Sequence, residues 1–169
     1  MPDEPLAYFI TFHTYGTWLH GQAPGSVDGG HNEYGSPVLA ADPERLAESR
    51  SRMTQEAYLL DEPRRTIVCS AIVAECQFRG WHLHAVHVRS NHVHLVVGAQ
   101  RDINFVLRSC KAHASKCLNE AGFDHPQRKR WTVHGSTRYL WNENAVAERI
   151  DYTLNQQGAP MALYVGRQI

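Results

Sequence analysis

The sequence predicts an α+β fold: a ferredoxin-like antiparallel sheet with helices packed on one face and a C-terminal helix that bears a tyrosine. Three observations predict it. Runs rich in aromatic and β-branched residues are interspersed with stretches of helical periodicity. The two central strand-like runs are separated only by Arg89-Ser90-Asn91, a connection short enough to make them an antiparallel hairpin. The 169-residue chain is 43% hydrophobic and 20% charged, the size and balance of a single globular domain, taken here as residues 1–169.

The elements follow in order. Leu6 to Tyr15 reads as a buried first strand. Gly16, Gly21, Pro24-Gly25 and Gly29-Gly30 then break regular structure, so that a long acidic insertion spans about 20–62. Within it, Asp42-Pro43 supplies an N-cap and first-turn proline for a short helix expected to reach about Leu59. Pro63 opens a helix over about Arg64–Arg79, closed by Gly80. Strands follow at Leu83–Val88 and His92–Val97. Ile103, Val106, Leu107, Cys110, Ala114, Cys117, Leu118 and Ala121 mark one stripe of the clearest helix, stopped at Gly122. Trp131–Val133 and Arg138–Trp141 around Gly135-Ser136 predict a second hairpin on a tight turn. Asn142 then caps a last helix that ends before Gly158 and Pro160. This order of strands and helices is the ferredoxin-like plan, which RNA-recognition domains share, but their aromatic, glycine-rich strand signature is missing.

Composition excludes some classes. The longest apolar runs are far too short to cross a bilayer, and Met1-Pro2-Asp3-Glu4 lacks the positive start of a secretory signal, so a cytoplasmic protein is expected. Cys69/Cys76 and Cys110/Cys117, each pair seven apart, lie on helical faces and read as reduced core thiols rather than a metal clip. Net charge is zero, which argues mildly against nucleic acid, yet it is unevenly spread: −7 over residues 1–63, +8 over 64–142 and −1 over the rest. The basic half supplies Lys111, Lys116, Arg128, Lys129, Arg130 and Arg138 as candidate phosphate contacts, with Trp131, Tyr139 and Trp141 as stacking surfaces for single-stranded bases if they are not core.

The richest stretch is Asn91-His92-Val93-His94-Leu95-Val96-Val97. In a strand, side chains i and i+2 share a face, so His92 and His94 present two imidazoles together, half of a metal site. On the last helix Tyr152 and Gln156 are one turn apart and about 40° from each other, roughly opposite the stripe of Val146, Ile150 and Leu154. Tyr152 is therefore expected to point away from the packing face, where its hydroxyl could act as a nucleophile and the Gln156 amide as a hard ligand beside the imidazoles.

His92-Val93-His94 together with Tyr152-Thr153-Leu154-Asn155-Gln156 resembles the HUH motif and nucleophile helix of single-tyrosine HUH transposases, the group that includes small insertion-sequence and REP-associated tyrosine transposases. The resemblance spans about residues 64–158 and the first strand. Arg89-Ser90 stands where many relatives carry Met-Pro, and the insertion at 20–62 is unusually long. The resemblance implies cleavage and rejoining of single-stranded, hairpin-containing DNA by Tyr152 through a 5′-phosphotyrosine. It also implies a Mg²⁺ or Mn²⁺ ion on His92, His94 and Gln156, with Asn91 orienting a ligand from behind. A homodimer is compatible with it, and relatives differ in whether the tyrosine helix serves its own subunit. Two rivals stand beside it: a domesticated DNA-binding protein without turnover, and a zinc module that draws on His82, His84 and His87 together with His92 and His94.

Overall fold

The computed structural model describes residues 3–18 and 41–167. Its elements are β1 (Ala7–His13), α1 (Pro43–Ser51), α2 (Glu62–Arg79), β2 (His82–Val88), β3 (His92–Gly98), α3 (Ile103–Glu120), β4 (Ser136–Leu140), α4 (Glu143–Asn155) and β5 (Ala162–Val165). The strands form one sheet in the order β4-β1-β3-β2-β5, every neighbouring pair antiparallel. The fold is therefore α+β with an antiparallel sheet.

Strand periodicity sorts the side chains between two faces. Tyr8, Ile10 and Phe12 of β1, Val86 and Val88 of β2, and Val93, Leu95 and Val97 of β3 face α2 and α3, where they meet Val68, Ile72, Cys76, Val106, Cys110, Ala114 and Leu118 in the main core. The alternate residues Ala7, Phe9 and Val96, with Leu140, form a smaller apolar patch on the other face, covered by Ala145, Val146, Ile150 and Tyr152 of α4. Hence α2 and α3 lie on one side of the sheet and α4 on the other.

Local chemistry sets the helix ends. Asp61 accepts from the Arg64 N–H, Asp102 from Asn104 and Phe105, and Asn142 from Ala145, each satisfying donors that a first turn leaves open. Gly80 ends α2 at φ 70°, a left-handed conformation that glycine adopts without a Cβ clash. All four cysteines are free thiols, and burial pushes Cys69 up to about 11.

Two expectations are corrected, and one strand is unforeseen. The acidic helix stops at Ser51 rather than reaching Leu59. Beyond it Tyr58 and Leu60, alternate residues, are buried at 3% and 1% exposure, and their N–H groups bond the carbonyls of Tyr15 and Ser90. That is an extended spacing, so the chain has left helical geometry before it reaches Leu59. The second hairpin does not form: Trp131 bridges Thr14 while β4 pairs with β1, so both arms of the expected hairpin lie along the first strand. Gly135 is explained by closeness, since a Cβ there would sit 2.7 Å from the Thr11 carbonyl oxygen. Finally, β5 follows Pro160 and pairs with β2, an edge strand that the four residues Ala162–Val165 scarcely announce. The glycine-rich part of the insertion, residues 20–40, lies outside the described residues.

Candidate active site

His92 and His94 stand on the α4 side of β3, their ring centroids 4.7 Å apart. Each ring is held from behind at Nδ1. Asn91 Oδ1 lies 2.6 Å from His92 Nδ1, and Thr11 Oγ1, across the β1–β3 pairing, lies 2.7 Å from His94 Nδ1. Such contacts fix ring orientation and leave Nε2 as the forward-facing nitrogen. His94 Nε2 meets the Oε1 of Gln157 at 3.1 Å, and the Gln157 side chain also bonds His92.

Tyr152 closes the site. Its ring lies edge-on to His94 at 5.5 Å and to Phe9 at 5.8 Å, while Phe9 stacks on His94 at 5.6 Å with the planes 16° apart. The expected orientation of Tyr152, away from the packing face, is corrected. Thr153, 0% exposed, points at the sheet, with Val146 and Ile150 on one side and Tyr152 on the other edge of the same face. Leu154 takes no part in either core cluster. At about 100° per residue Tyr152 and Leu154 flank Thr153 equally, and the apolar patch takes the flank that Tyr152 shares with Ala145 and leaves Leu154 outside.

The amide of the expected ligand set also differs. Gln156 is exposed beyond the last residue of α4, and its Nε2 donates to Asp151 Oδ2 at 2.6 Å. The structure brings Gln157 to the imidazoles instead, because the chain leaves helical geometry at Gln156, φ −115° and ψ 22°, and turns the next side chain inward. The one-turn spacing from Tyr152 favours Gln156 only on a continuous helix, and the departure from helical geometry at that residue gives the place to Gln157.

Of the candidate phosphate contacts, Lys111 and Arg130 are corrected. Lys111, 9% exposed, donates from Nζ to the carbonyls of Thr132 and His134 and ties α3 to the chain before β4; burial lowers its ammonium to about 8. Arg130, 3% exposed, bonds Asn119 Oδ1 and the Phe123 carbonyl. Arg128 and Lys129 hold the stretch before α2, Arg128 through Gln55 and the Glu56 carbonyl, Lys129 through Thr54 Oγ1. Lys116 is exposed on α3 beside Glu120, and Arg138 pairs with Phe9 across β4 and β1 on the α4 side of the sheet. Trp131 is core, edge-on to Phe12 with Nε1 bonded to Ser115 Oγ, whereas Tyr139 and Trp141 are exposed with rings 6.0 Å apart.

His87, buried at 0% exposure, is also on this face and is satisfied by backbone on both sides: Nδ1 lies 3.1 Å from the Thr153 carbonyl and Nε2 accepts the Met161 N–H at 3.0 Å. It is spent as an anchor. Among the described residues no three His, Cys, Asp or Glu side chains form a metal-binding group. A cation here would rest on two imidazoles and an amide. The donor chemistry fits a divalent ion, because two ring nitrogens and an amide oxygen converge on one place with their rear contacts already made.

Both rings are neutral near pH 7. Burial, then the neighbouring His92, lowers His94 to about 3, against a smaller opposing effect of Gln157. Burial, His92 and Lys111 lower His13, at the end of β1, to about 4. Burial comes first also for His84, His87 and His92, all shifted downward. Unfolded, His13 and His94 take up protons near pH 6.5; folded, they do so only near pH 4 and 3, so stability falls as pH drops through that interval, by about 1.4 kcal/mol per pH unit for each of these two rings. Denaturant midpoints in EDTA buffer should therefore decline steadily from pH 6.5 to 4.5. Midpoints that stay level over that range would contradict the neutral, buried rings.

No protein-family model and no curated protein matches the sequence. The chain is similar to solved transposase structures. One is a REP-associated tyrosine transposase bound to a REP hairpin, with 12% identity and a TM-score of 0.48, aligned over 90% of this chain and 67% of that one. Another is a candidate transposase from Deinococcus radiodurans R1, with 16% identity and a TM-score of 0.45, aligned over 94% and 95% of the two chains. Among the described residues no helix is long and apolar enough to cross a membrane.

Proposed function

We propose that this protein is a metal-dependent transposase or nickase of the single-tyrosine HUH type, which cuts and rejoins single-stranded DNA. The observation that carries the reading is the placement of the Tyr152 ring 5.5 Å from His94, with His92 and Gln157 at the same histidine pair. A nucleophile from a late helix and a ligand set from a central strand thus share one site. In the proposed step the Tyr152 oxygen forms a bond to the scissile phosphorus and the bond from phosphorus to the 3′ oxygen breaks. The phenolic proton is lost to solvent and the departing 3′ oxygen takes one up. One phosphodiester replaces another, so no nucleoside triphosphate is consumed and the free 3′ hydroxyl can reverse the attack on a new strand.

His92 and His94, with the amide oxygen of Gln157, would hold Mg²⁺ or Mn²⁺; Gln156 would replace Gln157 only after release from Asp151. When bound, the ion withdraws charge from a non-bridging phosphate oxygen. Asn91 and Thr11 keep the rings aimed, and Phe9 sets the spacing between His94 and Tyr152. Lys116, Lys129 and Arg138 would follow the DNA backbone, and Tyr139 and Trp141 would stack on unpaired bases of a hairpin-containing strand. A cytoplasmic location accords with that substrate, and a homodimer with the site.

The test is incubation of the protein with hairpin-containing single-stranded oligonucleotides in Mn²⁺ or Mg²⁺. The expected product is a denaturant-resistant adduct, abolished by EDTA, with the DNA mapped to Tyr152 by peptide mass spectrometry. Tight binding without an adduct would point to a DNA-binding protein that does not turn over. A large drop in melting temperature on metal removal would point to a structural zinc module.

A further inference from the structure

Arg149 lies three residues before Tyr152 on α4, and its guanidinium carbon is 5.1 Å from the centroid of the Tyr152 ring and 5.4 Å from that of Phe9. The side chain is half-buried. Several other arginines are matched to acids: Arg64 and Arg130 to Asp124, Arg79 to Glu75, and Arg52 to Glu48. Among the described residues Arg149 has no such carboxylate, and the neighbouring Asp151 is engaged with Asn155 and Gln156. A guanidinium placed over aromatic rings still has N–H donors in its own plane, in the forked arrangement that matches two oxygens of a phosphate.

We infer that Arg149 is a phosphate-binding catalytic residue, which grips the non-bridging oxygens of the scissile phosphodiester beside Tyr152. The inference rests on the proposed reaction at Tyr152 and adds to it a substrate contact outside the motif residues. Phe9 is the shared floor: His94 stacks on it, Tyr152 meets it edge-on and Arg149 covers it, so imidazole, phenol and guanidinium gather around one ring. Negative charge accumulates on the non-bridging oxygens as the phosphorus becomes five-coordinate, and a positioned guanidinium stabilises that charge more than it stabilises the ground state. Arg138, opposite Phe9 in the β1–β4 register, extends the cationic surface along the sheet.

The test compares wild type, Arg149→Gln and Arg149→Lys. Binding of a fluorescein-labelled oligodeoxythymidylate is followed by anisotropy against KCl concentration, without metal, and adduct formation on hairpin-containing strands is followed in Mn²⁺. Arg149→Gln should lower the slope of log affinity against log salt by about 0.7, the loss of one single-strand phosphate contact, and slow adduct formation by about a hundredfold. Arg149→Lys should keep the salt slope yet form adduct about tenfold more slowly than wild type, because an ammonium lacks the fork. An unchanged salt slope in Arg149→Gln overturns the inference, and so does a wild-type adduct rate in Arg149→Lys should the glutamine variant fail to fold. If wild type forms no adduct while Arg149→Gln still loses salt dependence, the transposase reading falls and the phosphate contact stands.

Discussion

Tyr152→Phe is expected to remove every trace of covalent protein-DNA adduct while leaving the fold intact. The two halves of this expectation rest on different parts of the same side chain. The proposed reaction needs the phenolic oxygen, and the other hydroxyl at the histidine pair, that of Thr11, is buried and held on His94 Nδ1. Folding needs only the ring, which packs edge-on to Phe9 and His94 and beneath Arg149. Among the described residues the Tyr152 hydroxyl makes no hydrogen bond, so its deletion leaves no buried partner unsatisfied and should change stability by less than about 0.5 kcal/mol. Melting temperature by circular dichroism and affinity for single-stranded DNA should both match wild type. An adduct that persists in the phenylalanine variant would assign the nucleophile elsewhere.

Gln157→Ala should weaken Mn²⁺ binding by about one to two orders of magnitude, while Gln156→Ala should leave it nearly unchanged. The difference follows from placement. Gln157 Oε1 is 3.1 Å from His94 Nε2, whereas the Gln156 amide is exposed and occupied with Asp151. Titration calorimetry with MnCl₂ on the two variants separates them without any DNA. The reverse ranking would mean that the cation draws Gln156 out of its contact with Asp151 and lengthens α4 by a residue. Asp151→Asn, which weakens that contact, would then raise the affinity.

Much of this architecture was legible in the sequence because it depends on local rules. Asp61, Asp102 and Asn142 announce helix starts through side-chain chemistry, Gly80 and Gly122 announce stops, and alternation from His92 to Val97 states which residues share a face. The histidine pair was readable for that reason. Tyr152 was harder: its helix has two plausible faces, and only the apolar patch of Ala7, Phe9, Val96 and Leu140, assembled from three strands, selects the one centred on Thr153. Which glutamine faces the histidines was illegible, since Gln156 and Gln157 are chemically identical and a change of backbone angle at the helix end decides between them. The burial of Lys111 and Arg130 was not legible because their partners, backbone carbonyls together with Asn119 and Asp124, are brought to them by the fold. Arg149 stands outside every motif and becomes visible only when Phe9 is seen beneath it.

The imidazole of His87 holds the Thr153 carbonyl with one nitrogen and the Met161 N–H with the other, while Arg89 Nη1 donates to the Ala159 carbonyl at 2.9 Å. Both ends of the segment between α4 and β5 are thereby stapled to the strand beside the one that carries the motif histidines. A subunit arrangement that lends its nucleophile to a neighbour would have to tear out these staples together with β5. On the proposed reading a subunit in this conformation sets Tyr152 against its own His94, and an exchange of helices between protomers would first have to break these contacts.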